Sequence, residues 1–150
     1  MQTPETARQD IGQLLESEQL AVLSTVQEDQ PYANLVAFAH SADLRSIVFC
    51  TPRTTRKYTN LSANNRVALL IENSRNQAAD IYQAMAATAI GQVEPIPPQA
   101  EEEFRELYLR KHPHLADFMR AATTAMVRVA VARYLVVRQF QNVYDFQVAQ

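Results

Sequence analysis

The segment 51–57 (TPRTTRK) contains the residue types that could do chemistry in this chain. It holds three cations and two neighbouring hydroxyl groups, contributed by Arg53, Arg56, Lys57, Thr54 and Thr55. A strand is predicted to end here and a helix to begin. A helix N-terminus carries about half a positive charge and unpaired backbone N–H groups, so nearby cations are unfavourable unless an anion neutralises them. The segment therefore predicts a site for a dianion such as a phosphate monoester, with a solvated basic patch as the alternative.

The helix that follows is predicted over residues 54–64 (TTRKYTNLSAN), and its N-cap is expected to be the first or second threonine, Thr54 or Thr55. At about 100° per residue, one face of this helix consists of Thr54, Tyr58 and Leu61. A second face consists of Arg53, Arg56 and Lys57. The first face is predicted to pack on the core, and the second is the predicted anion site.

Two other groups of residues could bind a metal or react. His112 and His114 are separated by one residue, with Asp117 nearby, which is a possible metal-ligand set. Pro113 between them favours a turn instead. Cys50 lies in an apolar segment, where a free cysteine usually behaves as a small buried hydrophobic residue. A reactive thiolate at this position would need a nearby cation to lower its pKa.

Short apolar runs separated by polar turns predict the strands around these residues. Three strands are expected to form an antiparallel meander, at residues 20–26, 31–40 and 46–51. A fourth strand is predicted at 66–72 and a fifth within 81–93, although the Ala-rich run 84–89 could instead be helical. Residues 123–140 contain no Gly or Pro and are too long for one strand, so two strands with a bend near Arg133 are predicted.

Helical periodicity predicts helices outside the sheet. They are expected over residues 5–18, 54–64 and 99–111, with a further short helix before residue 120, beyond the break at Pro113. Six or seven mostly antiparallel strands in a chain of this length favour a single, mainly β domain. A small barrel with peripheral helices would close such a sheet and remove its edges.

Composition excludes several classes of protein. The chain has 150 residues, of which 47% are hydrophobic, and a net charge of −2. These values exclude a disordered chain and argue against nucleic-acid binding. No apolar run reaches the roughly 18 residues of a membrane span, and residues 1–10 lack the apolar part of a signal peptide, so no membrane partner is expected. A single cysteine, Cys50, excludes an internal disulfide and favours a cytoplasmic location.

The order of these segments resembles the FMN-binding split-barrel family, the pyridoxamine 5′-phosphate oxidase-like proteins. The resemblance rests on the succession LAVLSTV, PYANLVAF, SIVFCTPRTTRKYTNL and NNRVALLIE within residues 20–72. The run AIGQVE at 89–94 is also similar to the family's next strand. The resemblance implies an antiparallel split β-barrel of six to seven strands. The later part of the chain is similar to members outside the classical oxidase branch.

The resemblance implies that FMN is the cofactor and that a Ser/Thr-Arg-Lys triplet holds its phosphate. Thr55-Arg56-Lys57 matches this triplet in type and position. Further cofactor contacts are expected from Asn34, Leu35, Val36, Thr51, Arg53 and Thr54. The family also implies a homodimer with two equivalent cofactor sites at the subunit interface. It implies an FMN-dependent oxidoreductase that acts on a small molecule of unknown identity.

This chain departs from the classical oxidases in two regions. Those enzymes place an Arg and a Lys on the second strand, where this chain has Asn34 and Ala39. Their C-terminal segment has a Trp-Arg pairing and further basic residues. This chain has no Trp, and residues 141–150 contain no basic residue. The resemblance therefore extends to FMN binding and does not extend to vitamin B6 oxidation.

Two other classes of function remain open from the sequence. The same fold could serve as a non-catalytic flavin carrier or sensor, or could bind haem or a deazaflavin. The basic helix end could instead contact an acidic partner in an interaction domain without a cofactor. The visible spectrum of the purified protein distinguishes these alternatives.

Overall fold

The computed structural model describes residues 2–139 and 141–148, which form seven strands and five α-helices. The strands are β1 (Leu20–Gln27), β2 (Gln30–His40), β3 (Ser46–Pro52), β4 (Arg66–Glu72), β5 (Met85–Glu94), β6 (Thr124–Arg138) and β7 (Asn142–Gln147). The helices are α1 (Pro4–Ser17), α2 (Arg56–Ala63), α3 (Asp80–Gln83), α4 (Glu101–Lys111) and α5 (Ala116–Arg120). Two short 3₁₀ turns, Pro98–Ala100 and Pro113–Leu115, flank α4.

All seven strands belong to one antiparallel sheet in the order β3-β2-β1-β4-β5-β6-β7. A further pairing between β3 and β6 closes six of the strands into a barrel, and β7 extends the sheet beyond it. The fold is therefore a mainly β barrel with peripheral helices. The predicted fold class is confirmed.

Burial alternates along each strand, as expected when one face of a sheet packs on a core. In β1, Ala21, Leu23 and Thr25 are buried, while the residues between them are partly exposed. The barrel interior is one apolar cluster that includes Phe38 and Phe49. Helix α1 contributes to the same cluster through Ala7, Ile11, Leu14 and Leu15. These side chains recur at helical spacing, which explains why one face of α1 packs on the barrel interior.

Helix α4 packs on the outer side of β2 and β3 and forms a second apolar cluster. Its buried residues are Ala39, Val48, Cys50, Phe104, Tyr108 and Met119. Tyr108 also donates a hydrogen bond from its hydroxyl to the carbonyl oxygen of Ala37, at 3.3 Å. No helix in the described part of the chain combines the length and apolar character needed to cross a membrane.

Strand β6 is continuous, so the prediction of two strands within 123–140 is wrong. The predicted bend coincides with a bulge: Ile90 pairs with Arg133 and Gly91 with Val131, which leaves Ala132 as the extra residue. The bulge also marks a change of partner on the other edge of β6, which β3 occupies before it and β7 after it. One long strand thus serves two neighbours. Phe140, in the predicted range, lies outside the described residues.

Gly91 is required by the close approach of β5 to β6 at this bulge. A Cβ atom added to Gly91 would lie 2.1 Å from the carbonyl oxygen of Ala130. Residues 84–89 do not form the alternative helix, because Met85–Glu94 is a strand that pairs with both β4 and β6. Strand β7 has no counterpart among the predicted elements.

Candidate functional site

The barrel is split between β2 and β3. Strand β2 pairs with β1 from Gln30 to Ala37, but it pairs with β3 only through Phe38, Ala39 and His40. Strand β3 meanwhile stays paired with β6 as far as Pro52. On its β3 side, the backbone of residues 33–37 therefore has no strand partner among the described residues. This opening is called the split below.

Helix α2 begins beside the split, and Thr55 is its N-cap. The Thr55 hydroxyl accepts a hydrogen bond from the Tyr58 N–H at 3.3 Å and lies 2.9 Å from the Thr51 hydroxyl. The prediction of Thr55 as a possible cap is confirmed. The prediction that the helix begins at residue 54 is wrong, because α2 begins at Arg56. Thr54 precedes the helix and is exposed, so it is not part of the core-facing side.

The first turn of α2 has the features of an anion site. It contains no acidic residue, and its first two residues are Arg56 and Lys57. The backbone N–H groups of these two residues have no hydrogen-bond acceptor among the described residues. Two free N–H groups, the positive end of the helix and two cationic side chains are thus found together.

Arg56 extends towards the hairpin of β1 and β2. Its Nη1 atom donates hydrogen bonds to the Tyr32 hydroxyl at 2.8 Å and to Gln27 Oε1 at 3.2 Å. Its guanidinium carbon lies 5.0 Å from the centroid of the Tyr32 ring. Lys57 is half-buried and has no polar side-chain partner in the described part of the chain. Sequence reasoning did not identify Tyr32 or Gln27, because their pairing with Arg56 depends on how α2 docks.

Arg53 has a different neighbour from Arg56. Its Nη1 atom donates a hydrogen bond to the Tyr58 hydroxyl at 3.2 Å, and its guanidinium carbon lies 6.0 Å from the Tyr58 ring centroid. Arg53 also lines a cleft on the α4 side of α2. Arg53 and Arg56, which were expected on one helix face, therefore contact separate partners, because Arg53 precedes the helix.

The predicted contacts on β2 lie along the split. Asn34 is half-buried, Leu35 is 65% exposed and Val36 is in the core. Their directions alternate because neighbouring strand residues point to opposite faces. Leu35 is thus an apolar side chain left in solvent next to backbone groups that lack a strand partner.

A buried hydrogen bond between side chains joins α2 to β1. Asn60 on α2 donates a hydrogen bond from Nδ2 to the hydroxyl of Thr25 on β1, at 3.0 Å. Both residues are buried, and Asn60 Oδ1 has no partner among the described residues. The sequence carries no signal for this pair, because the two residues lie in separate elements.

The other candidate residues are the two histidines, His112 and His114, and the cysteine, Cys50. His112 is buried with Nε2 2.7 Å from the carbonyl oxygen of Phe38, and burial lowers its pKa. Its ring centroid is 6.1 Å from that of His114. Within residues 2–139 and 141–148, no three His, Cys, Asp or Glu side chains are grouped as metal ligands. Cys50 is buried, as favoured, and burial raises its pKa to about 11, which keeps the thiol protonated at neutral pH.

Comparison with known proteins identifies the family. The family model described as pyridoxamine 5′-phosphate oxidase matches residues 7–138. The chain belongs to this family. It is a pyridoxamine 5′-phosphate oxidase-like protein, and the family resemblance predicted from its strand order is confirmed. No curated protein matches the sequence.

Solved structures share the fold at low identity. A heme binding protein from Mycobacterium smegmatis has a TM-score of 0.84 and 15% identity, over 94% of this chain and 57% of that one. Campylobacter jejuni ChuZ has a TM-score of 0.80 and 10% identity, over 98% of this chain and 61% of that one. An FAD-binding protein from Mesorhizobium loti has a TM-score of 0.67 and 14% identity, over 85% of this chain and 91% of that one. This pyridoxamine 5′-phosphate oxidase-like chain thus spans about three fifths of the first two proteins.

Proposed function

We propose that this protein binds FMN at the split and acts as a flavin-dependent oxidoreductase on a small molecule. The observation that carries the proposal is the N-terminus of α2, where Arg56 and Lys57 accompany two backbone N–H groups without acceptors. Membership of the pyridoxamine 5′-phosphate oxidase family and the FAD-binding protein from M. loti support a flavin. We also propose a cytoplasmic location, which the single buried thiol of Cys50 suits.

The phosphate of FMN fits the first turn of α2. A phosphate monoester carries about two negative charges and offers three acceptor oxygens. The N–H groups of Arg56 and Lys57, the Arg56 guanidinium and the Lys57 ammonium would donate to it. The Thr55 hydroxyl is adjacent, and the Thr51 hydroxyl is buried behind it. The α2 dipole adds to the attraction, and no acidic side chain in the first turn opposes it.

The ring system of a flavin fits the split itself. Flavin rings are flat and apolar on both faces, with hydrogen-bonding atoms along one edge. On the β3 side of β2, backbone donors and acceptors within residues 34–36 have no strand partner in the described part of the chain, and exposed Leu35 provides an apolar contact. FMN supplies the redox chemistry when bound, so the chain needs to hold the ring and admit a substrate.

A second copy of the chain would cover the apolar outer face of the sheet. Cross-strand neighbours on this face form a row of five uncharged residues, Leu35, Val22, Leu70, Thr88 and Leu135, which ends at Asp145 on β7. Leu35, Leu70 and nearby Leu20 are 65%, 38% and 51% exposed. Because Leu35 lies both on this face and beside the split, a homodimer formed here would also enclose the flavin site. Exposed apolar faces of this kind are typical of protein interfaces.

The dimer has its own test. Light scattering is expected to give about 34 kDa, twice the 17.0 kDa of one chain. Leu70→Glu should produce a monomer, because it places a charge at the centre of the face, and should weaken FMN binding. A wild-type monomer that binds FMN fully would exclude the interface.

Haem is the competing cofactor, since the M. smegmatis structure is a heme binding protein. Haem iron takes an axial His, Cys, Met or Tyr side chain from the protein. His112 is buried against the Phe38 carbonyl and Cys50 is buried in the second apolar cluster, whereas His114 is exposed within the 3₁₀ turn Pro113–Leu115. The helix end and the split favour FMN over haem and over an interaction domain without a cofactor.

The experiment that tests the proposed function is a titration of the purified protein with FMN and riboflavin, followed by flavin fluorescence. We expect saturable binding of both, with a marked preference for FMN because only FMN has the phosphate. Reduction of the bound flavin by a panel of small reductants would then test catalysis. A protein that binds neither flavin, or that is purified with a haem spectrum, would refute the proposal.

A further inference from the structure

A second cleft lies on the other side of α2 from the split. It has a volume of about 490 Å³ and is bounded by α2, the end of β5, the start of α4, α5 and the start of β6. Its lining combines polar residues, among them Asn65 and Thr124, with six larger apolar residues: Leu61, Val93, Ile96, Met119, Met126 and Val127. This volume lies within the usual range for pockets that bind small molecules.

Arg53 supplies a positive charge at this cleft. Its guanidinium is held by the Tyr58 hydroxyl at 3.2 Å, and both residues line the cleft. No carboxylate of the described residues lies within ion-pair distance of Arg53, so its charge is not neutralised by a side chain. Its remaining N–H donors can therefore bind an anion that enters the cleft.

The two carboxylates that line the cleft are already paired. Glu94 accepts from Arg128 at 2.9 Å, and Glu101 accepts from Arg105 at 3.0 Å. The Glu101–Arg105 pair joins partly exposed side chains one helical turn apart, and pairs of this kind are weak. Arg105 also lines the cleft, so an anionic ligand can take its second hydrogen bond from this side chain.

We propose that this cleft is a second binding site, for an organic anion with an apolar body. The six apolar lining residues contact the body, and Arg53 binds the carboxylate or phosphate with help from Arg105. The site is separate from the flavin phosphate site, because Arg53 and Arg56 contact different partners. Ligands of this class bind whether or not FMN is present.

The test uses the methionine methyl groups, which report on the cleft directly. Met119 and Met126 line it, whereas Met85 lines a different pocket beside α3. The protein is labelled with ¹³C at the methionine methyls and titrated with 2-naphthoate, with neutral 2-naphthalenemethanol as the matched probe. We expect saturable shifts at Met119 and Met126, little change at Met85, and weaker binding of the alcohol. Absence of shifts at millimolar naphthoate would overturn the proposal.

Variants of Arg53, with a matched arginine variant as the control, distinguish the effect of its charge on binding from an effect on folding. Arg53→Gln should weaken naphthoate binding by roughly tenfold, as expected for losing a charge-assisted hydrogen bond, and Arg53→Lys should restore part of the affinity. Arg110→Gln removes the same charge from an exposed position of α4 and should change nothing. Equal affinity in wild type and Arg53→Gln would show that Arg53 does not bind the anion, and the proposal would be wrong.

The flavin titration distinguishes this site from the proposed function. Arg53→Gln should weaken naphthoate binding far more than FMN binding, and Arg56→Gln should weaken FMN binding far more than naphthoate binding. If the protein binds naphthoate but no flavin, the cleft stands and the proposed function fails. If Arg53→Gln loses FMN together with naphthoate, the cleft belongs to the flavin site and the separate site is excluded.

Discussion

Arg56 lies over the ring of Tyr32 and also donates a hydrogen bond to its hydroxyl, with Nη1 and the phenolic oxygen 2.8 Å apart. The contact joins the start of α2 to β2 across the split. It fixes a long cationic side chain before any ligand arrives, so less conformational entropy is lost on binding. The proposed phosphate site is therefore preorganised by a residue from another element.

The Tyr32–Arg56 contact predicts a selective effect of Tyr32→Phe. The ring and its interaction with the guanidinium remain, while the hydrogen bond is lost. We expect FMN affinity to fall about two- to tenfold, as for one hydrogen bond of roughly 0.5–1.5 kcal/mol, and riboflavin affinity to stay the same. Flavin fluorescence titrations measure both. Tyr144→Phe, on β7, is the control, and an equal loss for both flavins would show that Tyr32 acts on the ring system.

Replacing Arg56 and Lys57 together by Ala should remove most of the preference for FMN over riboflavin. Two charge-assisted hydrogen bonds contribute roughly 3–6 kcal/mol, or roughly a hundred- to ten-thousand-fold in affinity. Added salt should weaken FMN binding more in the wild type than in the variant. The fold should persist, since two cations leave the positive end of a helix.

Arg45→Ala combined with Arg110→Ala is the matched control for this variant, because it removes the same charge from exposed positions elsewhere. Both doubles are titrated with FMN and riboflavin at two salt concentrations. A double variant at Arg56 and Lys57 that keeps the wild-type preference would place the phosphate at another site.

The two glycines predict opposite effects on stability. Gly91→Ala places a methyl group against the backbone of β6 and should lower the free energy of unfolding by roughly 1–3 kcal/mol or more. Gly12→Ala should raise it by roughly 0.5–1 kcal/mol, because residue 12 is inside α1 and has nothing within 4 Å of the added atom. Urea unfolding of both variants measures these values. A stable Gly91→Ala protein would mean that the bulge can shift.

The lowered pKa of Lys111 predicts that the free energy of unfolding rises between about pH 8 and 10. Its ammonium donates to the Leu15 carbonyl at 2.7 Å, and burial lowers its pKa to about 8. In this range the unfolded chain keeps the proton and the folded protein releases it, so the free energy of unfolding increases with pH. The carboxylates of Glu16 and Glu18 partly oppose the lowered pKa.

Urea unfolding of the wild type and of Lys111→Met at pH 8, 9 and 10 isolates this contribution. Cys50 acts in the opposite direction, since burial raises its pKa to about 11, but it is present in both proteins. The wild type should therefore gain stability relative to the variant as pH rises. Parallel pH curves for the two proteins would contradict the prediction.

Most of the barrel could be predicted from local patterns. Strands β1 to β4 lie within a residue of their predicted ranges, because alternating apolar residues and polar turns define them. Strand β7 was missed, since in a six-residue run with one buried position the alternation is weak. The continuity of β6 could not be predicted. A single extra residue, Ala132, shifts the register of pairing with β5 without ending the strand.

The candidate site was predicted in part. The Thr55 cap follows from residue preference at a strand-to-helix junction, and the structure places it as expected. The direction of Arg53 depends on Tyr58, and that of Arg56 on Tyr32. The second of these contacts joins distant parts of the chain, and periodicity within one helix carries no information about it.

The β3–β6 pairing also has a consequence for the order of folding. The β1–β2 hairpin joins residues that are close in sequence. Closing the barrel instead requires Ser46 on β3 to pair with Ala130 on β6, which is far away in the sequence. Long-range pairings of this kind lose loop-closure entropy before their contacts stabilise the fold. We therefore expect the barrel to close late and slowly during folding. The split takes its final shape only when β3 has paired with β6, because this pairing holds β3 apart from residues 33–37 of β2. A nascent chain that has made its hairpins would therefore still lack the proposed flavin site, and any capacity for flavin binding would be gained in the last step of folding.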